Sequence, residues 1–70
     1  MKLKVIEIDV LSGVVKCRCM LDLQGIEYPA AFNLLESDIY AKASADGRAS
    51  WENSDLIAVA KEKLGIDVLV

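Results

Sequence analysis

The chain has 70 residues, of which 54% are hydrophobic, and a net charge of −3 with no histidine. A chain of this length forms one small domain, here residues 1–70, and buries only about 60% of its extended surface. Its 8 basic residues are dispersed among 11 acidic ones, which disfavours nucleic acid and anionic membranes as partners. No apolar run approaches the ~20 residues that span a bilayer. We therefore expect a cytoplasmic protein whose apolar surplus favours a homodimer or another protein partner.

Alternating apolar and polar residues on both sides of Ser12-Gly13 predict a β-hairpin formed by residues 5–10 and 14–23. A two-residue turn places charges of opposite sign on one face and apolar side chains on the other. The predicted cross-strand pairs are Asp9–Lys16, Glu7–Arg18, Ile8–Cys17 and Ile6–Cys19. Because a slip of one residue would mix the two faces, this register is preferred.

A second tight turn at Gln24-Gly25 predicts a third strand that runs to Leu34. Both turns place the same side of the middle strand inward, which supports a three-stranded meander. The predicted inner face comprises Ile6, Ile8, Val10, Val15, Cys17, Cys19, Leu21, Tyr28, Phe32 and Leu34. Pro29 lacks an N–H group, so the third strand should lie at an edge of the sheet, with that position directed to solvent or in a bulge.

The pattern weakens between residues 35 and 51, where a short helix capped by Ser37 or Asp38 and an ordered loop remain equally open. Small residues make 43–50 the segment most expected to be mobile. A clearer helix follows, with Asn53 or Ser54 as its N-cap and Gly65 as its left-handed end.

The helix has an apolar stripe composed of Leu56, Ile57, Val59, Ala60 and Leu64. Residues 66–70 are short and β-branched, and they predict a fourth strand beside the first or an arm that docks on a second copy. The predicted fold class is therefore α+β: an antiparallel three-stranded meander packed against one C-terminal helix. A short fourth strand at the C-terminus and a short helix before the C-terminal one are the two elements left open.

Cys17 and Cys19 form the most suggestive motif. Alternate residues of a strand lie ~6.6 Å apart, too far for a disulfide, and zinc needs four ligands. Packing of two reduced thiols in the core is favoured, as is usual for buried cysteine. Metal binding and redox chemistry are the alternatives.

The segment 46–51 places Arg48 near Trp51, the only tryptophan. These residue types are enriched where proteins bind one another, so Arg48 and Trp51 are our candidate interaction surface. The alternative, favoured for a lone large aromatic residue in a small domain, is that Trp51 covers the core and Arg48 is solvated.

We expect no catalytic residues, cofactor, metal or small-molecule ligand. Glu36, Asp38, Asp46 and Glu52 have no spacing that fixes a pair, and the commonest general base is missing. The predicted function is a non-enzymatic protein-interaction module that self-associates through an edge strand or a sheet face. The alternative is a thiol-dependent metal-binding or redox protein using Cys17 and Cys19. Mimicry of nucleic acid is weakened by the alternating charge signs of the first hairpin.

Overall fold

A four-stranded sheet covered on one face by two helices forms the domain, in a computed structural model that describes residues 2–70. The elements are, in chain order, β1 Lys2–Leu11, β2 Val14–Leu23, β3 Ile26–Leu35, α1 Glu36–Ala45, α2 Asn53–Leu64 and β4 Asp67–Leu69. The strand order is β3-β2-β1-β4. β1, β2 and β3 pair antiparallel, whereas β4 runs parallel to β1. The predicted α+β meander with a fourth strand beside the first is confirmed.

Both hairpins close through two residues with positive φ. The φ values are 53° and 77° at Ser12 and Gly13, and 55° and 82° at Gln24 and Gly25. Turns with positive φ at both central residues have the twist that flanking antiparallel strands require. The second turn is also held by a side chain, because the Gly25 N–H donates to Asp22 Oδ1 at 3.0 Å.

The first hairpin has the predicted register at its turn and departs from it further along. Three predicted pairs are present: Glu7–Arg18, Ile8–Cys17 and Asp9–Lys16. Beyond Glu7 an irregularity of the bulge type shifts the register, so that Val5 and not Ile6 lies opposite Cys19. An extra residue in one strand reverses the inward alternation. The placement of Ile6 on the inner face was therefore wrong, and its side chain is 50% exposed.

The core lies in the middle of the inner face, between the sheet and the helices. Strand residues Val15, Cys17, Cys19 and Leu34 are buried there, and Ile8 and Phe32 pack against them. Val10 and Tyr28 lie on the predicted inner face, opposite Val15 and Leu21, yet each is about half exposed. The face prediction was right for both residues, whereas their expected burial was not.

The start of the segment for which a helix and a loop were both open forms helix α1. Neither of the predicted caps, Ser37 and Asp38, is its N-cap. The N-cap is Leu35, so Ser37 and Asp38 lie inside the first turn. The backbone N–H of Glu36 instead donates to the carbonyl of Gly13 at 2.9 Å. This bond satisfies one donor of the helix N-terminus and fixes α1 against the β1–β2 turn.

Helix α2 begins at Asn53, so the prediction that Asn53 or Ser54 caps it was wrong. The N-cap is Glu52, whose N–H donates to the Asp55 carboxylate at 2.8 Å. The helix ends as predicted, at Gly65 with φ 68° and ψ 23°. Lys61 then pairs with Asp67 at 3.1 Å, and this ammonium group holds the pKa of Asp67 below its ordinary value. Within residues 2–70, neither helix has the length and apolar composition needed to cross a bilayer.

Candidate functional site

Arg48 lies at the centre of an ion-pair cluster between the two helices. Its guanidinium contacts Asp46 at 3.4 Å and Glu52 at 3.8 Å, and it hydrogen-bonds Asp55. Asp55 is 2% exposed and is the only polar residue that is fully buried within 2–70. The Arg48 side chain is 32% exposed, so its guanidinium is partly solvated and also takes part in ion pairs that the sequence did not indicate. The cluster fixes the end of α1 to the start of α2.

Trp51 has an internal hydrogen-bond partner as well. Its indole Nε1–H donates to Glu36 Oε2 at 3.2 Å, and its ring packs, partly buried, against the core. Since the Glu36 N–H reaches Gly13, a chain of contacts links Trp51 to the first turn of the sheet. The structure thus brings Arg48 and Trp51 to one connection between the helices. Their use as a contact surface for a partner stays a prediction.

Backbone hydrogen bonds hold part of the connection that carries these residues, which overlaps the segment 43–50 expected to be mobile. Residues 43–45 belong to α1. The N–H groups of Asp46 and Arg48 both donate to the carbonyl of Ala43, at 3.1 and 2.9 Å, and that of Gly47 donates to Ser44 at 2.9 Å. These bonds satisfy carbonyl groups that would otherwise be free at the end of α1.

Cys17 and Cys19 are free thiols buried under the helices. Burial, together with the charge that would form on Cys19, raises the pKa of Cys17 to about 11. Burial also raises the pKa of Cys19. Since the thiolate is the nucleophile and the metal ligand, both thiols are held in their unreactive form. Among residues 2–70, no group of three or more His, Cys, Asp or Glu side chains is arranged to hold a metal ion.

A shallow groove of about 240 Å³ lies between the two helices. Charged side chains of both helices line it, and Lys42 faces Glu62 across it at 3.8 Å. Pockets for small molecules usually have ~300–1,000 Å³ and apolar walls. The groove falls below that range, and Asp38, Lys42, Glu62 and Lys63 are among its lining residues.

The helices are too short to cover the inner face of the sheet. Strands of 10 residues extend ~33 Å, whereas helices of 10 and 12 residues extend only ~15 and ~18 Å. The molecule is accordingly elongated, 40 × 22 × 16 Å, with a radius of gyration of 12.3 Å against ~11 Å for an average domain of this length.

Apolar side chains therefore remain uncovered at both ends of the inner face. At the end nearer the first turn the uncovered residue is Val10. At the other end the uncovered residues are Leu23, Ile26 and Tyr28, which are 48%, 57% and 46% exposed. We call these three residues the apolar tip. The strand pattern placed Tyr28 inward, but the length mismatch that exposes the tip becomes visible only when both helix lengths are known.

The opposite face of the sheet carries no covering layer within residues 2–70. It holds the exposed ion pair Arg18–Glu7, whose atoms are 3.2 Å apart, together with exposed Leu11, Leu35 and Leu69. A single exposed ion pair of this kind contributes little stability. This outer face is thus a mixed surface.

Comparisons of this chain with family models, with curated proteins and with solved structures find no match.

Proposed function

We propose that this protein is a non-enzymatic protein-interaction module of the cytoplasm that self-associates through its sheet. The observation that carries the proposal is the apolar tip at the end of a sheet longer than its helices. Contiguous exposed apolar surface marks association sites in soluble proteins, and a second copy presents the same tip to the first. Two free thiols in the core suit a reducing compartment.

Sedimentation equilibrium from low to high micromolar concentrations tests self-association directly. The proposal predicts a mass that rises with concentration toward the dimer. A chain that remains monomeric throughout this range would refute self-association and require a different protein as the partner.

A matched pair of variants tests whether the dimer forms through the sheet. Tyr28 on β3 and Tyr40 on α1 are 46% and 43% exposed, so Tyr28→Gln and Tyr40→Gln remove similar accessible apolar surface. We expect Tyr28→Gln to weaken the dimer and Tyr40→Gln to leave it unchanged. Equal effects of the two variants would count against association through the sheet. Circular dichroism on both variants checks that the fold is retained.

The thiol-dependent alternative is separated from this proposal by labelling. Metal or redox chemistry at Cys17 and Cys19 needs thiols that react in the folded protein. Because both are buried, we expect a thiol reagent to label them only after denaturation. Rapid labelling of the native protein at neutral pH would favour the thiol-dependent function instead.

A further inference from the structure

The sheet has two unpaired edges within residues 2–70. β3 is an edge strand over its whole length. The opposite edge is formed by β4, which has only 3 residues, and by the β1 stretch from Ile6 to Leu11, because β4 covers β1 only at residues 2–4. Unpaired N–H and C=O groups on such edges are templates for pairing with another strand. The two edges differ in charge and in the groups they present.

Ladder geometry identifies the backbone groups that point outward. The two residues that flank a two-residue turn exchange both backbone hydrogen bonds with each other. From there along each strand, the N–H and C=O groups of successive residues point alternately toward the paired strand and away from it. On β3 the flanking residue is Ile26, which pairs with Leu23, so the groups of Glu27, Pro29, Ala31 and Asn33 point away from the sheet. On β1 the flanking residue is Leu11, so the outward groups of the open stretch include those of Ile8 and Val10.

The open edge of β1 is poorly suited to pair with itself. An antiparallel two-fold pairing that hydrogen-bonds both Ile8 and Val10 has two registers. One places Asp9 opposite Asp9 of the second copy, and the other places it opposite Glu7. Like charges placed directly opposite destabilise a strand pair. The bulge next to Ile6 interrupts the strand further.

The edge of β3 lacks this conflict. In a two-fold pairing centred on Ala31, Ala31 lies opposite itself, Pro29 opposite Asn33 and Glu27 opposite Leu35. The N–H groups of Ala31 and Asn33 each meet a free carbonyl group. Pro29 contributes no donor, and the carbonyl of Leu35 opposite Glu27 already serves α1, because Leu35 is its N-cap. The side chains at the centre are small, and the single acidic residue of the strand faces leucine.

We infer that two copies associate by antiparallel pairing of their β3 edges about Ala31, forming one continuous eight-stranded sheet. This inference rests on the proposed self-association and names the surface that mediates it. The pairing places Tyr28 of the apolar tip opposite Leu34 of the second copy. The exposed Tyr28 of one copy therefore lies beside the helix-covered part of the second copy's inner face.

A charge-swap experiment tests the two-fold centre. Ala31 is exposed and lies opposite itself, so Ala31→Asp and Ala31→Lys each place two like charges together, whereas a mixture of the two proteins places opposite charges together. We expect each variant alone to dimerise weakly and the mixture to dimerise about tenfold more tightly. Asp9→Asn is the matched control: it leaves the dimer unchanged if β3 is the interface and tightens it if β1 is.

Three outcomes separate the claims. A wild-type protein that never dimerises overturns the proposed function and this inference together. Dimers that persist equally in Ala31→Asp, Ala31→Lys and their mixture overturn only the β3 pairing. Restored dimerisation in the mixture alone supports it.

Hydrogen exchange on the wild-type protein gives a test that requires no variant. The amides of Ala31 and Asn33 should become protected as the concentration rises through the dimerisation range, while that of Val10 should not. Protection of Val10 with continued fast exchange at Ala31 would overturn the assignment. Pro29→Val supplies the missing donor and should tighten the dimer by about tenfold.

Discussion

Removing the Asp55 carboxylate should be the most damaging single change in the connection between the helices. This side chain is 2% exposed. It accepts a hydrogen bond from the N–H of Glu52 and pairs with the Arg48 guanidinium. Asp55→Ala would remove both interactions at once. It would also leave Arg48 with only Asp46 and Glu52 as charged neighbours.

The expected magnitude follows from these two contacts. Loss of the side-chain bond to the N–H of the N-cap residue, one half of the capping box, costs about 1 kcal/mol. Breaking a fully buried ion pair costs about 3–5 kcal/mol, but Arg48 is 32% exposed and keeps two partners, so we take about 1–2 kcal/mol. The free energy of unfolding should fall by about 2–3 kcal/mol, which lowers the Tm of a domain of this size by about 10–20 °C.

Urea denaturation followed by circular dichroism measures this loss. The charge-free variant Asp55→Asn retains an acceptor for the Glu52 N–H and should lose only the ion-pair part. Arg48→Met preserves the aliphatic stem, and the double variant with Asp55→Ala completes a cycle. Destabilisations that add within about 0.3 kcal/mol would show that Arg48 and Asp55 do not interact and would refute the reasoning.

Three further changes have defined outcomes. Stability should fall by about 2 kcal/mol between pH 9 and pH 11, since an unfolded Cys17 thiol ionises near 9.0 and the folded one near 11; a Cys17→Ala variant with the same slope would contradict this cause. Gly65→Ala should cost about 1 kcal/mol in urea denaturation because φ is 68° there, and a neutral result would exclude strain. Trp51→Phe removes the donor to Glu36 and should lower stability by about 1 kcal/mol, and an unchanged Tm would mean that this bond contributes nothing.

The hairpins were predictable because two local signals agree on them. Turn glycines and the alternation of side chains separately indicated the register of β2 with β3 and the inward side of Cys17 and Cys19. The bulge next to Ile6 carries only a weak signal, the adjacent apolar pair Val5-Ile6, which interrupts the alternation. Two apolar neighbours also occur in regular strands, so the break could not be distinguished from a strand end.

The contacts of Arg48 and Asp55 depend on how the two helices are arranged. The two residues are seven positions apart, Arg48 in the loop and Asp55 in α2, and no periodic pattern relates a loop position to a helix position. The predicted caps were wrong because several residues near each helix start have side chains that can accept an N–H, and the sequence does not select one of them. The apolar tip is exposed because the strands are longer than the helices, and local sequence patterns do not relate the lengths of different elements.

The pairing of β4 with the start of β1 has a consequence for the order in which the molecule assembles. Each hairpin closes through two residues and can form early, whereas Val68 reaches Leu3 only after both helices have turned back across the sheet. Contacts between distant parts of a chain carry the largest closure entropy. The three-residue ladder between β4 and β1 should therefore form last and open first, and its opening should leave the three-stranded meander folded.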